Sequence, residues 1–159
     1  MSRLPFITRP GFEALQAESR ALWDRRRDVT KALAAAAAEG DRSENAEYIY
    51  RKKELREIDR RIRYLQRRLP ELRVVDQTPP NRQQVFFGAW VTLGSAIGDE
   101  VTYRIVGGDE LDPKRNWISV DAPLARALLK RLVDDTVLVR TPSGEATYSI
   151  LAVRYDPPG

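Results

Sequence analysis

Glu39, Asp41, Glu44 and Glu47 place four carboxylates within nine residues, with Arg42 among them. Carboxylate oxygens at this density do one of two things. They cap a helix: in Asp41-Arg42-Ser43-Glu44 the first acid accepts from an amide of the first turn, the second reaches back, and both complement the positive end of the helix dipole. Or they meet a hard cation, because two oxygens at neighbouring positions can complete a magnesium shell whose other ligands come from a partner. Alone they bind it weakly, having too few ligands. Glu39 and Glu47 add negative charge beyond what capping needs, so both readings stay open. The sequence holds no histidine and no cysteine. That removes the usual base near neutral pH, disulfides and thiolate metal sites, and leaves oxygen ligands for any metal chemistry.

Two helix-forming runs must position this cluster. Thr8-Arg9-Pro10 reads as a helix start, with Thr8 at the N-cap and Pro10 in the first turn. Phe12, Leu15, Ser19, Leu22, Arg26, Val29, Leu33 and Ala36 then recur at steps of three and four, a heptad stripe with polar lapses at Ser19 and Arg26. The alanine-rich stretch from Leu33 to Ala38 lets a partner helix approach closely, and Gly40 stops the run as a C′ residue. The second run repeats the period through Tyr48, Leu55, Ile58, Ile62, Leu65, Leu69 and Leu72, with Arg51 as its polar lapse. So short a connection predicts an antiparallel hairpin of two helices of about 30 residues, roughly 45 Å long, with the acidic cluster at its tip. Pro70 predicts a kink or a restart of the helix near the far end.

Charge follows the same division. Residues 1–76 carry 18 Lys+Arg against 13 Asp+Glu, a balance of +5, and residues 77–159 carry 9 against 10, a balance of −1. Arg51, Lys52, Lys53, Arg56, Arg60, Arg61, Arg63, Arg67 and Arg68 face only Glu54, Glu57 and Asp59 within one helix. Helical i,i+4 pairs such as Glu57 with Arg61 account for three of these nine cations at best. The excess, interleaved with Tyr48, Tyr50 and Tyr64, points to a phosphate backbone. The longest apolar run, Leu33–Ala38, is far too short to span a membrane, and the first residues have no apolar signal core, so a cytoplasmic protein is expected.

The polar stretch Asp76-Gln77-Thr78-Pro79-Pro80-Asn81-Arg82 reads as a boundary. The expected organisation is a helical hairpin over 1–76, a linker over 77–84 and a globular domain over 85–156. Strands are expected at Val85-Phe87, Trp90-Leu93, Val101-Val106 and Trp117-Val120, with a short helix from Pro123 to Arg131. A closing hairpin, Thr136-Arg140 and Ala146-Tyr155, turns at Pro142-Ser143-Gly144. Strands with one embedded helix predict a compact antiparallel α+β domain. Trp90, Trp117, Phe86, Phe87 and Tyr103 are assigned to its core, and Gly107-Gly108 to a turn. No nucleophile-base pair or phosphate loop occurs there, which suits a docking module.

Gly40-Asp41-Arg42-Ser43-Glu44-Asn45-Ala46-Glu47-Tyr48, followed by Arg-Glu-Ile-Asp-Arg-Arg-Ile-Arg-Tyr-Leu at 56–65, closely resembles the Gre transcript cleavage factors of bacterial RNA polymerase. Val85-Phe-Phe-Gly-Ala-Trp90, Arg104-Ile-Val-Gly107 and Ala125-Arg-Ala-Leu-Leu-Lys130 look like the same family, so the resemblance covers nearly the whole chain. The basic second helix and Phe86-Phe87-Gly88-Ala89-Trp90 are similar to the GreB branch. The resemblance implies an N-terminal antiparallel coiled coil that enters the polymerase secondary channel, and a C-terminal domain, similar in fold to FKBP prolyl isomerases, that grips the rim. It implies that Asp41 and Glu44 help hold a second Mg2+ jointly with the polymerase, whose own active site then cleaves backtracked RNA; the factor itself is not an enzyme and is a monomer when free. It implies that Arg51, Lys52, Lys53, Arg56 and Arg60 lie along the path of the nascent RNA 3′ end, and that Ser119, Asp121 and Pro123 belong to the polymerase-docking loop. Pro70 is a departure from the expected helix. Three other readings stand beside this one: a Gre-like channel inhibitor without cleavage activity, a prolyl isomerase with a helical arm, and an RNA-binding coiled coil independent of polymerase.

Overall fold

The computed structural model describes residues 3–39 and 45–157. It divides into two compact units: residues 12–72, and residues 1–11 together with 73–159.

The helical unit is built from α1 (Arg9–Ala37) and α2 (Ala46–Arg68). Val29, Ile58 and Ile62 are buried between them, with Leu22 and Leu55 packed alongside. Cross-helix contacts run in opposite directions along the two sequences: Glu18 with Arg61, Arg26 with Asp59, Arg25 with Glu54, and Ala36 with Asn45. The helices are therefore antiparallel. One polar lapse in the stripes, Arg26, is also explained. Arg26 meets Asp59 at 2.7 Å, and Arg61 grips Glu18 through two nitrogens at 2.6 and 2.9 Å, a bidentate fork that fixes register as well as charge. Arg61 thus reaches across to α1.

Two local expectations change. The second helix has 23 residues, not about 30, because it ends at Arg68, just before Pro70. There α2 gives way to a 3-10 turn, Leu69–Glu71, whose second residue is Pro70, and Leu72 is already extended. Lacking an N–H, proline is tolerated at such a first turn and not in a helix interior. The helical unit also starts later than expected, since the chain up to Gly11 belongs with the sheet. Here β1 (Phe6–Ile7) pairs in parallel with β2 (Arg73–Val74), and Arg73 N donates to Pro5 O at 2.7 Å and Val75 N to Ile7 O at 2.8 Å.

The sheet unit contains β3 (Trp90–Ser95), β4 (Glu100–Val106), β5 (Trp117–Ser119), α3 (Pro123–Leu128), β6 (Thr136–Thr141) and β7 (Gly144–Arg154), in the sheet order β5-β4-β3-β7-β6. Pairing is antiparallel except at the edge, where β4 and β5 are parallel. The expectation of an antiparallel domain fails there because residues 107–116 give enough chain to return in the same direction. The core consists of Val85, Ala89, Val91, Leu93, Ile105, Val120, Ala125, Leu128, Val137, Val139 and Ile150. The large aromatics assigned to it are only partly buried. Trp90, Arg104 and Trp117 are direct cross-strand neighbours, and the Arg104 guanidinium lies 3.9 Å from the Trp90 ring centroid and 5.0 Å from that of Trp117. Burial between the indoles pushes the Arg104 pKa down, and nearby Glu110 offsets this in part.

The expected linker over 77–84 is part of this unit. Val133 N donates to Gln83 O at 3.0 Å, and Val85 exchanges bonds with Lys130 and Arg131. Val85-Phe87 accordingly forms no sheet strand; its partner is the chain after α3. On the N-terminal side, Glu110 is the anchor. It accepts from Thr8 N and from Gly107 N, at 3.0 and 2.8 Å, and from the Thr8 hydroxyl. Thr8 in turn caps α1 by accepting from Gly11 N at 3.2 Å. Gly107 does more than turn the chain: a Cβ there would sit 2.2 Å from the Phe6 carbonyl oxygen.

Candidate functional site

Asp41 and Glu44 lie outside the described residues. What flanks them is defined. Glu39 N donates to Ala36 O at 3.2 Å, closing the last turn after α1. On the other side α2 begins at Ala46 with Asn45 as its N-cap, its side chain accepting from Tyr48 N at 3.1 Å. Asn45 is a strong N-cap type because its short side-chain oxygen reaches the first-turn amides. Glu47 sits in the first turn, where its charge complements the helix dipole, and accepts from Arg51 Nε at 2.8 Å.

The cations expected to contact RNA fall into two groups. Arg51 is committed within the protein: besides Glu47 it binds Glu54 at 2.9 Å, and Glu54 also accepts from Arg25 across the helices. Glu54 is 8% exposed. The hydrogen bond from Arg25, then that from Arg51, hold its carboxyl below the ordinary glutamate range, and the bonds to Glu47 and then Glu54 push the Arg51 pKa up. Lys52, Lys53, Arg56 and Arg60 are exposed and make no ion pair with a described residue. With Arg63 and Arg67 they recur at steps of three and four, which puts Lys53, Arg56, Arg60, Arg63 and Arg67 on one stripe opposite the buried face of Ile58, Ile62 and Leu65. The stripe carries aromatic rings beside its charges. Lys52 Nζ lies 5.8 Å from the Tyr48 ring and Arg61 5.2 Å from that of Tyr64. An open groove of about 540 Å³ runs along Glu57, Arg60, Arg61, Arg63, Tyr64 and Arg67. Cations held over rings in a groove suit a flexible, phosphate-bearing strand.

The residues expected to dock a partner are brought together at the turn between β5 and α3. Ser119 Oγ accepts from Asp121 N at 3.0 Å, Asp121 Oδ2 accepts from Leu4 N at 3.2 Å, and Pro123 is the first residue of α3. Asp121 thus spends part of its hydrogen-bonding capacity holding the N-terminal segment, while Pro123 is exposed. Val120, in the same turn, lines an apolar cavity of about 330 Å³ with Leu4, Phe6, Pro79, Phe86 and Phe87. Sequence reasoning missed three residues: Asn45, Glu54 and Glu110. Only Asn45 had a local signal, a strong capping type at the head of an apolar-periodic run.

Among the described residues no group of three or more acids could hold a metal ion. Among the described residues no helix is long and apolar enough to cross a membrane. These features define a two-part protein: an antiparallel helical pair with one exposed basic stripe, and a mixed sheet packed on a short helix. Family models for the transcription elongation factor GreA/GreB cover both parts, the N-terminal model matching residues 5–74 and the C-terminal one residues 79–155. The chain is 54% identical to the transcription elongation factor GreB of Yersinia pestis over 99% of its length and 92% of that protein's. It is 58% identical to GreB of Xanthomonas axonopodis pv. citri over 94% of its length and 90% of that protein's. The solved structure of the transcription factor Gfh1 aligns with 96% of this chain and 99% of its own at 23% identity, with a TM-score of 0.47. The chain belongs to the GreA/GreB family of transcription elongation factors and is of the GreB type; RNA polymerase is its partner.

Proposed function

We propose that this protein stimulates cleavage of backtracked RNA by the polymerase, supplying Asp41 and Glu44 as oxygen ligands and leaving the bond-breaking site to its partner. The observation that carries this reading is the exposed basic stripe, Lys52, Lys53, Arg56 and Arg60, which begins two turns into the helix that follows the tip acids. Cations in that position draw an extruded 3′ strand toward those acids, an attraction that salt would weaken by screening. Arg51 does not share this role; it holds Glu47 and Glu54. The paired antiparallel helices support a coiled coil of a length suited to the secondary channel, and the curled sheet with α3 supports an FKBP-like domain. That domain docks on the polymerase through Ser119, Asp121 and Pro123.

Two carboxylates fit a Mg2+ ion in donor chemistry but are too few to retain one, which suits a site completed by a second protein. When bound, the ion would stabilise charge on the reacting phosphate. Asp41 and Glu44 would hold it through their carboxylate oxygens and would accept hydrogen bonds from water; the basic stripe orients the strand. On this reading the protein is not an enzyme by itself, and it acts as a monomer in the cytoplasm.

The test is RNA cleavage in stalled elongation complexes. Asp41→Ala or Glu44→Ala should lower the stimulated rate by about a hundredfold, the scale of losing one charge-stabilising group at a reaction centre, with polymerase binding retained. A double variant that cleaves like the wild type would overturn the proposal, and slowed elongation without cleavage by the wild type would make it a channel inhibitor.

A further inference from the structure

We infer that Asn45 is a positioning residue that ties the ends of the two helices together and so sets how the tip acids are presented. This inference rests on the function proposed above. The last carbonyls of a helix have no donor within it. At the end of α1 one of them, that of Ala36, accepts from Glu39 N at 3.2 Å and from Asn45 Nδ2 at 2.7 Å. The other end of the same amide accepts from Tyr48 N at 3.1 Å. The orientation of the amide follows from its partners, since only nitrogen can donate to a carbonyl and only oxygen can accept from an N–H.

Asn45 is thus both the cap of α2 and a strap onto α1. Residues 40–44 are bounded on both sides by groups bonded to one carbonyl, and Ala36 itself is 3% exposed. Few side chains could replace it. Aspartate would keep the cap but turn an acceptor toward the Ala36 carbonyl. Serine or threonine would keep the cap and be too short for the strap. Because rates respond to displacements of about 1 Å with losses of up to roughly a hundredfold, slack between the two helix ends reaches the chemistry without touching it.

The experiment compares Asn45→Ser and Asn45→Thr with wild type and Asp41→Ala, measuring cleavage in stalled complexes over a range of factor concentrations. Melting temperature and hydrogen exchange at the Tyr48 amide are followed in parallel. Both variants should lose about tenfold in cleavage rate at saturation. Half-saturating concentration, melting temperature and Tyr48 protection should stay as in wild type. Wild-type cleavage by either variant, or a loss seen only in half-saturating concentration, overturns the inference. So does a fall in melting temperature that accompanies the loss in both, since that would make the strap a fold contact. Should the wild type itself fail to stimulate cleavage, it is the proposed function that falls first.

Discussion

At the scale of single residues, Glu54 shows how a charge becomes structural. It is buried on the helix-helix face, and Arg25 and Arg51 bring it two charge-assisted bonds. Glu54→Gln keeps the shape and removes the charge, and should cost about 1 kcal/mol, discounted because Arg25 is largely exposed. Denaturant unfolding of the helical unit measures it. The pH dependence has a definite sign. A carboxyl held below its ordinary value stabilises the fold above about pH 4.3, the unfolded glutamate pKa, and loses that contribution as pH falls through the lower folded value. The wild type should therefore lose stability in acid with a slope that Glu54→Gln reduces. These residues also mark what the sequence could and could not tell. The acidic tip stood out by composition, yet where the helix starts was ambiguous: Asp41-x-x-Glu44 fits a capping box, and Asn45 is also a favoured N-cap type. Only the position at which the helix begins chooses Asn45. Arg51 looked like one more cation in a basic run because sequence does not reveal that Glu47 and Glu54 flank it on one helix face.

At the scale of elements, periodicity was the legible part. The heptad stripes of α1 and α2, and the alternation in β3 and β6, each follow from one buried face, so pattern and structure share a cause. The parallel pairings were not legible. β1 and β2 are two residues long, too short for any period, and β5 gives no sign of which way its neighbour runs. Yet β1 is tightly fitted. Gly107→Ala would drive a methyl into the Phe6 carbonyl and should destabilise the sheet unit by about 1–3 kcal/mol, the range for overpacking, with the helical unit unaffected; melting followed by tryptophan fluorescence checks it. The basic stripe on α2 makes a different prediction. Arg56→Glu with Arg60→Glu leaves the buried face intact and reverses two exposed charges. Crosslinking of the nascent RNA 3′ end to the factor should fall, and the salt dependence of what remains should be shallower. Arg51→Ala should instead lower helix stability.

For the whole molecule, the consequence lies in how the chain is divided. The segment before α1 and the segment after α2 belong to one compact unit, so residues 12–72 are in effect an insertion into the sheet unit. Ile7 is fully buried and Thr8 nearly so; with Glu110 receiving three bonds from Thr8 and Gly107, the first residues are part of that fold. A fragment cut at the proline-rich stretch, residues 77–159, discards β1 and β2. It should be less stable than the sheet unit of the full chain by at least the roughly 2–5 kcal/mol of emptying one buried isoleucine site. Replacing residues 12–72 by a flexible linker of about 12 residues, long enough to join two parallel strands, should restore a cooperative transition close to that of the full-length sheet unit. The shortened protein retains Ser119, Asp121 and Pro123 but no acids at a tip and no basic stripe. It should therefore compete with the full-length factor for polymerase while promoting no cleavage. A fragment 77–159 as stable as the linked version would show that the N-terminal strand contributes nothing to the sheet unit, and equal competition by both would show that it contributes nothing to docking.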